Sequence, residues 1–145
     1  MKQVNTKEII GISYPTLPEH AEKIFSKKRV LYPKFTPHGT PPLFLKKDSK
    51  FLFYVSHNKK EIIGEGKIAE IKKMKFDEFI NKQKDSFLDE GGLKKYLGKR
   101  LGKDIIIFDI RKIKRYDFPI KLNFCVNMGG RYFTKKEYKI LRGHK

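Results

Sequence analysis

Apolar positions in this chain fall mostly into short alternating or continuous runs, the pattern of strands, and take up helical spacing in only a few places. Residues 8–14 hold Ile9, Ile10, Ile12 and Tyr14 and stop at Pro15, which predicts a strand rich in β-branched residues. Residues 18–25 begin with Pro18, suited to a first helical turn, and bring Ala21, Ile24 and Phe25 to one face of a short helix. Residues 29–35 alternate again, and Thr36-Pro37-His38-Gly39-Thr40-Pro41-Pro42 then continues neither kind of element.

Turns at 47–50 and 57–60 open onto two further strands, 51–56 and 61–71, the second with a bulge or tight bend at Gly64-Glu65-Gly66. Residues 76–104 change period: Phe76, Phe79 and Ile80, then Phe87 and Leu88, then Leu93, Tyr96 and Leu97 outline two amphipathic helices joined at Gly91-Gly92. A strand over 105–117 follows and ends before Pro119. Thr134 and Glu137 have the spacing of a capping box ahead of a last helix at 137–141. The expected architecture is α+β: one domain, 1–145, with about five or six short strands curled into a compact pseudo-barrel, short flanking helices, and 76–104 as a helical insertion.

The 145 residues carry 34 Lys and Arg against 16 Asp and Glu, a formal charge of +18. Pairing every acid leaves eighteen cations over, so ion-pair networks do not account for the excess, and an external anion is implied. The insertion is almost neutral, whereas residues 105–145 carry eleven cations against three acids. With 39% hydrophobic and 13% aromatic residues the chain is not a disordered polycation. Its apolar runs fall far short of the roughly 20 residues of a membrane span, no signal-peptide core follows Met1, and a cytoplasmic location without membrane association is expected. Cys125 is the sole cysteine, expected to be a small buried side chain, and the four histidines are scattered, so neither a disulfide, a metal site nor a cofactor is expected.

The order of elements, with the basic stretch Ser26-Lys27-Lys28-Arg29 before the second strand and the hairpin ending over 62–71, resembles the PUA/ASCH superfamily. Gly129-Gly130-Arg131-Tyr132-Phe133-Thr134-Lys135-Lys136-Glu137-Tyr138 further resembles an uncharacterised, mainly archaeal family within it. The ASCH pattern Gly-x-Lys-x-x-Glu-x-Arg is met here by a segment that keeps a lysine and lacks the glycine and the glutamate. The resemblance implies a pseudo-barrel that binds RNA, tRNA or rRNA among the candidates, or a modified nucleotide in a cleft beside it.

Clustered cations beside aromatic rings give this reading its chemistry, since phosphates are drawn to Lys and Arg while unstacked bases settle on flat side chains. The expected binding residues are Arg29, Tyr32, Lys34, Tyr54, Ser56, Lys67, Arg111, Lys114, Arg115, Arg131 and Tyr132, with Arg111 and Arg115 on one face of their strand. Binding without catalysis is the primary reading. Two alternatives stand beside it. One is an ASCH-like amidohydrolase acting on a modified nucleoside through Lys34 or Lys67 with Glu65, although an exposed pair of Glu65 with Lys67 is the plainer use of those residues. The other is a protein-interaction module docking through 76–104.

Overall fold

A computed structural model of the protein describes residues 9–34, 45–55, 60–75, 78–79, 104–126 and 130–143. In chain order they form β1 (Ile9–Pro15), α1 (Pro18–Phe25), β2 (Arg29–Lys34), β3 (Lys50–Val55), β4 (Glu61–Lys75), β5 (Asp104–Lys121), β6 (Arg131–Thr134) and α2 (Lys135–Gly143). The strands make one sheet in the order β2-β5-β4-β3-β1-β6. Only β1 and β3 run parallel, and the crossover a parallel pair requires is supplied by α1 and β2. Strands β2 and β6 are the edges, and among the described residues no ladder joins them, so the six strands form an open sheet. The α+β class holds.

Alternation buries both faces. Phe51 and Phe53 of β3 join Tyr14, Val30, Tyr32, Ile68, Phe108 and Ile110 in an inner cluster, with the Tyr32 ring 4.7 Å from that of Phe51. Leu52 and Tyr54 point the other way, to an outer cluster with Ile62, Tyr116, Leu122, Val126 and Phe133, covered by Tyr138 and Leu141 of α2. Of the segment 76–104, expected to be a helical insertion, only residues 78, 79 and 104 are described; Phe79 is buried in the inner cluster and Asp104 starts β5.

Two departures from regular pairing in β5 shape the outer face. Glu65 faces Lys114 and Lys67 faces Arg111, so two steps along β4 oppose three along β5. The extra residue belongs to a β-bulge at Lys112, whose φ of 53° is the left-handed conformation such bulges use. Further along the strand, Gly64 faces Arg115 while Ile62 faces Ile120, so residues 116–119 bow out of the ladder. That is why β5 runs on through Pro119 instead of ending before it: within the bow the missing N–H breaks no pairing.

Other local expectations hold closely. Helix α1 has its predicted limits. The capping box forms reciprocally, Thr134 N–H donating to Glu137 Oε1 at 3.0 Å and Glu137 N–H to Thr134 Oγ1 at 3.1 Å, although α2 is longer than 137–141. Gly130 has φ of 82° and lies against the Tyr14 ring, where a Cβ would collide with it. Cys125 corrects the expectation of burial: it is exposed. No helix of the described residues is long and apolar enough to cross a membrane.

Lys112→Val, which puts a β-branched side chain at positive φ, should lower unfolding free energy in urea by about 1–3 kcal/mol, whereas Lys112→Gly should match or exceed the parent. Equal stability of the two variants would contradict the bulge.

Candidate functional site

The register brings four cations into a line across the sheet. Arg29 of β2 faces Arg111 of β5, Arg111 faces Lys67 of β4, and Lys67 faces Lys50 of β3. Their chain neighbours Val30, Ile110, Ile68 and Phe51 all pack into the inner cluster, so the four cations share the outer face. With strands about 4.8 Å apart the line is about 14 Å long. The bulge at Lys112 then adds Lys114, which without it would point inward three residues from Arg111.

Two acids hydrogen-bond to these cations, and a third, Glu70, stands opposite Asp109 and pairs with Lys72 at 3.5 Å. Asp109, with a side chain only 3% exposed, accepts from Arg29 Nε and Nη2 at 3.1 Å each and from Arg111 Nε and Nη2 at 3.4 and 3.3 Å. Burial pushes its carboxyl up, but the two guanidiniums outweigh burial and hold it below the usual carboxylate range. Asp109 thus orients both arginines edge-on while leaving their side chains 42% and 54% exposed. Glu65 accepts from Lys50 Nζ at 2.7 Å through Oε2, and from the Tyr116 and Tyr138 hydroxyls at 2.7 and 2.6 Å through Oε1. Again burial raises the carboxyl and its three donors lower it further, to a net value below normal. For Lys50 the opposite balance holds: burial lowers the ammonium, but Glu65 carries it above its ordinary value.

Beyond Lys114 the outer face deepens into a groove of about 720 Å³ between the bowed end of β5 and α2. Lys114, Tyr116, Phe118, Lys121, Leu141 and Arg142 line it, together with the acid Asp117. The Arg142 guanidinium lies over the Tyr116 ring at 4.1 Å, and the bow leaves Phe118 85% exposed. Among the described residues no group of three or more His, Cys, Asp or Glu is placed to hold a metal ion.

The profile of the family described as "Domain of unknown function (DUF365)" matches residues 9–135. The chain belongs to the DUF365 family. This DUF365 chain is also similar to solved structures of ASCH from Zymomonas mobilis. The unmodified ASCH gives a TM-score of 0.77 at 19% identity, covering 93% of this chain and 95% of that one. A tyrosine-to-phenylalanine mutant of it gives 0.78 at 18%, covering 93% and 98%, and a serine-to-alanine mutant gives 0.74 at 20%, covering 94% and 96%. At these identities the likeness is one of fold. A comparison with curated proteins gives no match.

Of the residues expected to bind, the DUF365 fold gathers Arg29, Lys67, Arg111 and Lys114 on one face. The other described ones are buried, paired or turned to the opposite face. The Lys112 bulge turns Arg115 away from Arg111, to an ion pair with Glu22 at 2.6 Å and a place over the Phe25 ring, correcting the expectation that both arginines share a face. Lys34 is buried over the Tyr14 ring at 4.9 Å. Tyr14 itself is pushed up to about 12, chiefly by burial and then by Tyr132. Tyr32 and Tyr54 are core residues with no ring face open to a ligand. Arg131 pairs with Glu137 at 2.8 Å and lies over Phe124 and Phe133, while Tyr132 is half-buried on β6. Ser56 lies outside the described residues, as does most of the proposed docking segment 76–104. Glu65 pairs with Lys50 instead of Lys67, and this pair is largely buried.

Sequence reasoning missed Lys50, Asp109, Phe118, Lys121, Tyr138 and Arg142. Asp109 and Arg111 stand two apart on a strand, a legible signal for a shared face. The remainder depends on which strands pair and on where α2 docks.

Because Asp109 and Glu65 are held below their unfolded values, the stability they contribute is complete above the ordinary carboxylate range and lost as pH falls through their lower folded values. Urea midpoints should be level between about pH 7 and 5 and drop below about pH 4. Glu65→Gln should shrink that drop; an undiminished drop would contradict the role given to Glu65.

Proposed function

We propose that this protein binds RNA, or a nucleotide within it, across the outer face of its sheet. The observation that carries the reading is the line Arg29-Arg111-Lys67-Lys50, continued by Lys114, in which Asp109 and Glu65 are committed to hydrogen bonds with members of the line and Glu70, opposite Asp109, pairs with Lys72. Counterion release gives such a face salt-dependent attraction for phosphates. The arginines are preset by Asp109, so less side-chain freedom is lost when a phosphate arrives. The resemblance to the PUA/ASCH superfamily and the fold shared with Zymomonas mobilis ASCH agree with this reading. Pseudo-barrel behaviour of the sheet, with a cleft beside it, belongs to the same proposal.

One observation favours a second reading, catalysis by an amine and a carboxylate: Lys50 Nζ stands 2.7 Å from Glu65. The electrostatics oppose it. A nucleophilic or basic lysine must lose its proton and an acid catalyst must hold one, yet Lys50 is pushed up and Glu65 down. Glu65 is also occupied by two phenols, which marks the cluster as the anchor of α2. Binding without turnover is the better account.

Fluorescence anisotropy with a short labelled RNA, repeated from about 50 to 200 mM salt, tests the proposal. Lys67→Ala and Lys114→Ala should each weaken binding and reduce the log-log salt slope by about 1. Arg115→Ala, on the opposite face, should leave both unchanged. No affinity at low salt, or a loss with Arg115→Ala as large as with Lys67→Ala, would overturn it.

A further inference from the structure

The groove beside α2 has the composition of a subsite for a single nucleotide, and it adjoins the cation line through Lys114. Its volume of about 720 Å³ falls within the range of about 300–1,000 Å³ typical of small-molecule pockets. Three cations, Lys114, Lys121 and Arg142, face one acid, Asp117, so its charge suits an anion. What separates it from a plain basic patch is Phe118. This ring is 85% exposed at the crest of the bow in β5, where the ladder jumps from Arg115 to Ile120. It packs in neither apolar cluster, so the sheet gains nothing from its size. Elsewhere in the lining the Arg142 guanidinium lies over the Tyr116 ring at 4.1 Å, a second pairing of cation and aromatic ring.

We infer that this groove takes an unpaired nucleotide, its base stacked on Phe118 and its phosphate held by Lys114 and Lys121. The inference rests on the proposed RNA-binding reading and deepens it, because a base within a duplex has both faces covered and presents none to Phe118. A strand whose phosphates cross the cation line reaches the groove at Lys114, which faces Glu65 one row from Lys67. Recognition by stacking accepts any base, since each has a flat face, so the subsite discriminates unpaired from paired nucleotides more than one base from another. The chemistry suits either a free nucleotide or one within a strand.

The test compares a labelled single-stranded 10-nucleotide RNA with a duplex of the same sequence, on the parent, Phe118→Ala, Phe118→Trp and Lys67→Ala. Phe118→Ala should weaken single-strand binding about tenfold, the loss of one stack, with an unchanged salt slope. Phe118→Trp should restore it, and duplex affinity should be indifferent to both changes. Because Phe118 is exposed, its replacement leaves the core intact, which thermal unfolding verifies. Adding AMP while following the ring signals of Phe118 by NMR separates the sources: a shift shows that the free nucleotide enters, and no shift alongside the tenfold loss assigns the groove to polymer. Single-strand affinity that falls with Lys67→Ala and is untouched by Phe118→Ala would overturn the groove while sparing the face. Absence of any RNA binding would overturn both.

Discussion

The bulge at Lys112 decides on which side of the sheet Lys114 and Arg115 stand. A regular β5 would alternate strictly, placing Arg111, Ile113 and Arg115 on one face and Lys112 and Lys114 on the other. One extra residue, accommodated by a left-handed backbone at Lys112, keeps both Ile110 and Ile113 against the inner cluster and turns Lys114 and Tyr116 outward beside Arg111. Burial enforces this arrangement: a shift of one residue would expose Ile110 and drive Arg111 into an aromatic core. Hydrophobic packing on one side of β5 therefore fixes electrostatics on the other.

On the outer face the acids act as organisers more than as neutralisers. Asp109 spans two arginines and Glu65 joins one lysine to two phenols, so each carboxylate fixes several donors while cancelling a single charge. The tyrosine bond from α2 to Glu65 also holds the helix that walls the groove. Since α2 buries no residue of its own completely, polar contacts and the capping box hold it as much as apolar packing does. The anchoring of the helix and the shape of the groove are thereby coupled through one carboxylate.

Much of the fold was legible from local chemistry. Pro15 and Pro18 bound the first strand and helix, and Thr134 with Glu137 announces the last helix, because these signals act within a few residues. The open sheet and its strand order were not legible, since pairing partners are set by contacts distant in sequence. Among candidate residues, Arg29, Lys67, Arg111 and Lys114, picked out by charge, are those the register places on one face. Tyr32 and Tyr54 were misread because an aromatic ring on a strand fits a core and a ligand equally well until burial is known. Arg115 was misplaced by the bulge, which the sequence Arg111-Lys112-Ile113-Lys114 does not mark with a glycine. Phe118 carried a signal in Pro119 beside it, a residue that breaks ladders, yet its exposure follows from a bow visible only once β4 and β5 are paired.

If one face of the sheet, and not the molecule's general basicity, meets the ligand, backbone amide NMR during titration with a short RNA will reveal it. Shifts should concentrate at Arg29, Lys50, Lys67 and residues 111–114, with Glu22, Phe25 and Arg115 silent. Shifts spread evenly over both faces, or centred on α1 and Arg115, would refute a one-faced interface.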